Sequence, residues 1–251
     1  MVQLQVKRPR ALLFDISGTV AKTSFIDKVL FPYITNYAET YFNENWDNDT
    51  TRQDLDALRA VSQSDPEAPQ IASGLSRDEE IDATVKFIRF YMEHQKECKA
   101  LTLFRFRMWF DGYKRDRLNT PVYSDVAIQL QHWRSDQGIK LFVVSNGWSE
   151  ATKRFLQKTS HGDMNLLIEN HFDTRIGKLN EPDTYRKILE KIKEEANEVL
   201  FLTKDGSEGN AALNAGLNVV LVLTHRRNIE KLNEDEKKIP RVRSFNEIDF
   251  V

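Results

Sequence analysis

Four short apolar runs punctuate the chain, at residues 11–14, 141–144, 199–202 and 219–223, each drawn from Ala, Val, Leu and Phe. Runs of this length that are apolar at every position, not at alternate ones, predict strands covered on both faces. After the second run the gaps are filled by amphipathic stretches of helix length, at 149–158, 183–196 and 208–215. Strand and helix therefore alternate, the pattern of a parallel sheet wound on both faces through right-handed crossovers.

More than a hundred residues separate the first run from the second, far beyond what one crossover needs. That segment has a helical period of its own: Phe25, Val29, Leu30, Tyr33, Ile34, Tyr37 and Tyr41 recur at helical spacing, as do Ile81, Val85, Ile88, Tyr91 and Met92. Between them, 62–76 carries Pro66, Pro69 and Gly74 and predicts a loop. The expected organisation is an α/β core, residues 1–24 and 116–251, interrupted by a helical cap over 25–115. The core is a doubly wound, mostly parallel, Rossmann-like sheet, and the aromatic positions of the cap are read as packing groups. The charged segment 228–238, closed by Pro240, predicts a surface helix or loop before a last short element.

The 251 residues suffice for such a core without extra staples. The single cysteine, Cys98, excludes an intrachain disulfide, a Cys-x-x-Cys metal knuckle and a redox pair, and fits a reducing compartment. With 36 basic and 38 acidic side chains the net charge is -2, so no field of one sign is present to collect nucleic acid or anionic lipid. Lys7, Arg8 and Arg10 read as a solvated arm before the first strand, with a small nuclear-targeting or anion-binding cluster as the alternative. No apolar stretch near the start resembles a secretory signal and no run approaches membrane-spanning length, so a cytoplasmic protein is expected.

Ligands of open α/β sheets gather at the carboxyl ends of the strands. The first run is followed by Asp15-Ile16-Ser17-Gly18-Thr19, a carboxylate entering a glycine turn whose amides can face an anion. Asp15 has the chemistry to attack phosphorus and form an aspartyl-phosphate. The same Asp-x-x-Gly-Thr pattern also ends ordinary strands. The second run is followed by Ser145-Asn146-Gly147, a hydroxyl and turn amides ahead of a helix, which suits either a phosphate oxygen or a plain helix cap.

In this order and with this insertion, the motifs resemble the haloacid dehalogenase superfamily, and within it the enolase-phosphatase (acireductone synthase) family of methionine salvage. The resemblance spans nearly the whole chain: 12–19, 25–34, Met108-Trp109, 122–126, His171-Phe172-Asp173-Thr174, 185–188 and Phe201-Leu202-Thr203. It implies a magnesium-dependent enzyme that enolises a phosphorylated diketone and then removes its phosphate. It further implies Asp15 as nucleophile and metal ligand, Ser145 and Asn146 as phosphate contacts, and a metal contact through the backbone carbonyl at Ser17.

Three positions depart from the family pattern. Ser17 stands where the family has the Glu of Asp-x-Glu-Gly-Thr, and a hydroxyl is a poor general acid. Leu179 stands at the phosphate-neutralising lysine, with Lys178 one residue early as a candidate phosphate contact. Lys204 stands where the strand ending Phe201-Leu202-Thr203 should deliver a carboxylate to magnesium, with Asp205 one residue late as the candidate metal ligand. A one-residue slip on a strand turns a side chain to the opposite face, so Asp205 needs a bulge or redirected turn to serve. The stretch 225–228 also replaces a Pro-Gly turn.

Two functional expectations follow. One is a pseudophosphatase, a fold kept as a binding or regulatory module for a small phosphorylated metabolite or anion, with a protein partner. The other is an active magnesium-dependent enolase-phosphatase in which Lys178 and Asp205 stand in for the displaced groups.

Overall fold

The computed structural model describes residues 3–224 and 226–251, with residues 226 and 227 described by their backbone alone. Of the stretch 225–228, His225 lies outside the described residues. Along the chain run β1 (Leu4–Val6), β2 (Ala11–Phe14), α1 (Phe31–Asn45), α2 (Asp49–Ser64), α3 (Arg77–Glu93), α4 (Lys99–Lys114) and α5 (Ser124–Ser135). They are followed by β3 (Lys140–Val144), α6 (Ser149–Gln157), β4 (Ile168–Phe172), α7 (Pro182–Ile192), β5 (Val199–Thr203), α8 (Gly206–Asn214), β6 (Asn218–Val222), α9 (Arg226–Glu230), β7 (Arg241–Val242) and β8 (Ile248–Phe250). The chain divides into two compact units, Met1–Thr23 with Asn119–Val251, and Ser24–Leu118.

The first unit is an α/β sandwich around a six-stranded parallel sheet in the order β4-β3-β2-β5-β6-β7. Alternation of side chains along each strand explains why the runs are apolar throughout. Leu12, Phe14, Leu141, Val143, Leu200 and Leu202 enter one core with Val126, Leu130 and Trp133 of α5 and Leu156 of α6. Ala11, Leu13, Phe142, Val144, Val199 and Phe201 enter a second core with Tyr185 and Ile188 of α7 and Ala211 and Ala212 of α8. Each fully buried Leu or Phe contributes about 2 kcal/mol relative to an exposed one, so both cores matter to stability.

The segment with Lys7, Arg8 and Arg10 is solvent-exposed as expected, but it is anchored rather than a free arm: β1 pairs in parallel with β8, Lys7 Nζ lies 2.5 Å from Glu198 Oε1, and Arg8 donates to the Gln137 carbonyl. Strand β4 had no apolar run to announce it, because it is an edge strand with Glu169 and Asn170 exposed.

The second unit is a bundle of α1 to α4. A π-helical turn, Ile26–Leu30, leads into α1; Asn48 caps α2 by accepting from Thr50 N, and Ser76 with Glu79 forms a capping box on α3. Its core holds Ile34, Phe42, Leu55, Leu58, Phe87, Ile88, Phe104 and Met108. Phe42 stacks on Phe104, with centroids 5.1 Å apart, and Tyr41 meets Phe104 edge-on. The predicted loop 62–76 begins later than expected, since α2 continues to Ser64 and Ser62 Oγ accepts from Ile71 N. Among the described residues no helix is long and apolar enough to cross a membrane.

Candidate functional site

The chain moves from β2 outward to β3 and β4, then returns to β5 on the other side of β2 and continues to β6 and β7. The order reverses at the β2/β5 boundary, and the crevice beyond the carboxyl ends of such a pair is where open α/β sheets hold ligands. Asp15 stands there. Its N–H donates to Leu202 O at 3.0 Å, which extends the β2–β5 ladder by one rung. Asp15 Oδ1 accepts from Ile16 N at 2.7 Å and Oδ2 from Thr19 Oγ1 at 3.3 Å. The turn closes through Val20 N and Ala21 N on Ile16 O, and Gly18 takes φ +87°, a conformation costly to other residues. Asp15 is only 9% exposed. Burial pushes its carboxyl up to about 6, against the opposing pull of Lys204 and the turn amides.

At the end of β5, the Lys204 side chain lies against the open face of Gly18. A β-carbon built on Gly18 would lie 2.5 Å from Lys204 Cδ, 3.1 Å from Nζ and 3.3 Å from Cε. Asp205, the expected metal ligand, is instead the cap of α8: Oδ1 accepts from Ser207 N at 2.9 Å, Ser207 Oγ at 2.7 Å and Glu208 N at 3.2 Å. It is exposed.

Ser145, at the end of β3, is buried and its Oγ accepts from Gly147 N at 3.0 Å. Asn146 is exposed and donates from Nδ2 to Glu208 Oε1 at 2.8 Å, tying the β3 end to α8 across β2. The start of α6 is not open to a phosphate at its first amide, because Ser149 N donates to Asp173 Oδ2 at 2.8 Å. Lys178 points to solvent and pairs with Glu181: it is 79% exposed with Nζ 3.5 Å from Glu181 Oε1, while Leu179 turns into the core and its carbonyl accepts from Tyr185 Oη.

Glu208 was not singled out from sequence, yet it is a second buried acid beside Asp15. Its Oε1 accepts from Asn146 and its Oε2 from Thr203 Oγ1 at 3.3 Å. Burial, then the charges of Asp15 and Asp205, push its carboxyl up to about 7. The available signal was its phase: Glu208 shares a helical face with Ala211 and Ala212, both buried. Asp173 is also buried, and Arg175 holds its carboxyl well below the usual range through Nε and Nη2.

A magnesium ion asks for several hard oxygen donors in near-octahedral array. The residues here do not fit it. The lysine chain fills the space above Gly18, Asp205 is committed to α8, and Glu208 to Asn146 and Thr203. Among the described residues no group of three or more His, Cys, Asp or Glu side chains could hold a metal ion.

Comparison with known proteins agrees with this fold. A profile of the haloacid dehalogenase-like hydrolases matches residues 9–202. Enolase-phosphatase E1 of Anopheles gambiae is 32% identical over 246 residues, covering 96% of this chain and 82% of that one. The enzyme of the same name from Hahella chejuensis is 31% identical, covering 95% of both chains. The crystal structure of UTR4 protein from Saccharomyces cerevisiae superposes with a TM-score of 0.72 at 23% identity, over 94% of this chain and 98% of that one. The chain therefore belongs to the haloacid dehalogenase-like hydrolases and, among them, to the enolase-phosphatase family.

Proposed function

We propose that this enolase-phosphatase-like chain binds a small phosphorylated metabolite at the β2/β5 crevice, has lost most of its catalytic power, and works in the cytoplasm as a binding or regulatory module. Residues 25–115 are read as a helical insertion in the core sequence. The observation that carries this reading is the donor set around Asp15, whose neighbouring carboxylates are committed to other partners. Phosphoryl transfer in this chemistry leans on positioning and on neutralising charge. Ser17, in place of an acid, removes a proton donor, a loss of about a hundredfold in rate.

A second reading, an active magnesium-dependent enolase-phosphatase turning a diketo-methylthiopentyl phosphate into acireductone, is favoured by one feature. Asp15 remains buried and held by its turn in the place of a nucleophile. In that reading Ser145 and Asn146 hold the phosphate. Phosphate release from the diketone phosphate, with magnesium and with EDTA, decides between them when Asp15→Asn serves as the blank. Release no faster than the blank, raised by Lys204→Asp combined with Ser17→Glu, supports the binding module; magnesium-dependent release abolished by Asp15→Asn establishes the enzyme.

A further inference from the structure

Lys204 leaves β5 beside the strand end that carries Asp15, since Phe14 is level with Leu202. Its stem runs over Gly18, where any β-carbon would collide with Cδ at 2.5 Å. The glycine is thus a cradle for the lysine as much as a turn residue. Lys204 is half-buried, so its ammonium keeps a path to a ligand entering the crevice. Asp15 follows the neighbouring strand β2, the buried Ser145 hydroxyl ends β3 on the far side of β2, and Asn146 is held at its amide end by Glu208 of α8. An ammonium is a compact cation with three donors, suited to a phosphoryl oxygen and repelled by a divalent ion.

We infer that Lys204 is the resident cation of the crevice: its ammonium meets the phosphoryl group of the ligand directly, so a phosphate monoester or inorganic phosphate binds without any divalent metal. This rests on the crevice being a phosphoryl-binding site. It adds that metal-free binding is built into the fold through the Gly18–Lys204 packing, and that the two sites, metal and lysine, are mutually exclusive. The charge stays with the protein, so binding does not follow the supply of magnesium.

The test uses the full chain and inorganic phosphate as probe, followed by isothermal titration in EDTA and in millimolar magnesium, with manganese binding followed by electron paramagnetic resonance. The natural chain is expected to bind phosphate equally in both buffers and to leave manganese free in solution. Lys204→Met, which keeps the length of the side chain and removes its charge, is expected to weaken phosphate binding about tenfold or more. Lys204→Asp is expected to gain manganese binding. Unchanged phosphate affinity in a folded Lys204→Met, a phosphate affinity that requires magnesium, no phosphate binding by the natural chain, or manganese binding by the natural chain would each overturn the inference. Turnover of the diketone phosphate in EDTA would instead overturn the noncatalytic reading and leave the role of Lys204 standing.

Discussion

The N–H of Asp15 is bonded to the carbonyl of Leu202, so the carboxylate that ends β2 and the lysine two residues beyond Leu202 are brought side by side at the reversal point of the sheet. An acid and a base from strands far apart in sequence thereby share one crevice. Each of them sets what the other can do.

Asp15 is held neutral more readily in the folded chain than in the unfolded one, with its carboxyl at about 6 against an ordinary 3.8. Below the ordinary value both states are protonated; between the two values the native state holds the extra proton, so stability falls as pH rises through this window. Asp15→Asn is expected to match the natural chain near pH about 4 and to exceed it by roughly 2 kcal/mol near pH about 8. Urea denaturation at the two pH values checks this, and an equal difference at both would contradict it.

Gly18 and Lys204 are expected to be energetically coupled. Gly18→Ala meets both the left-handed backbone and the lysine stem, at a cost of about 2–3 kcal/mol. In a Lys204→Ala background only the backbone part remains, so the double-mutant cycle should show an interaction of about 1 kcal/mol. Additive effects in chemical denaturation would mean that the lysine yields freely.

Glu208 carries a charge at neutral pH only with difficulty, since its carboxyl lies at about 7. Glu208→Gln keeps an acceptor for Asn146 and is expected to be neutral or stabilising by about 1 kcal/mol above pH about 7. Glu208→Ala leaves Asn146 and Thr203 without their partner and is expected to cost about 1–3 kcal/mol. Melting temperatures of the two variants, measured side by side, separate the charge from the hydrogen bonds.

Asp173 fastens the start of α6 from the end of β4. Asp173→Ala is expected to destabilise by about 1–2 kcal/mol, with faster amide exchange at Ser149. Because Arg175 holds this carboxyl low, its contribution is present above the ordinary carboxylate range and fades as pH falls through the folded value. Retained protection of Ser149 in the variant would remove α6 from the account.

Much of the fold was legible because its central strands are buried on both faces, which writes an unbroken apolar run into the sequence. Edge strand β4 left no such mark: with Glu169 and Asn170 exposed, its segment reads like a loop. Asp15 was legible because a carboxylate directly follows an apolar run at the sheet centre. The orientation of Asp205 was not, because it depends on where α8 begins. Asp-Gly-Ser-Glu supports both a ligand and a helix cap, and the amides of Ser207 and Glu208 decide for the cap. Lys178 illustrates a related limit. A long side chain one position out of register is able to reach back, but Leu179 anchors the backbone in the core and Lys178 turns to solvent.

The central place of β2 also bears on how the protein is made. This strand leaves the ribosome well before its two neighbours, β3 and β5, which start at Lys140 and Val199. Its four apolar residues wait without a hydrogen-bonding partner while the whole of Ser24–Leu118 is synthesised. That contiguous helical stretch needs only nearby contacts and can fold meanwhile, whereas the sheet must close long loops. The nascent chain thus carries an unpaired Ala-Leu-Leu-Phe segment for seconds, the kind of apolar stretch that is prone to aggregate until its strand neighbours arrive.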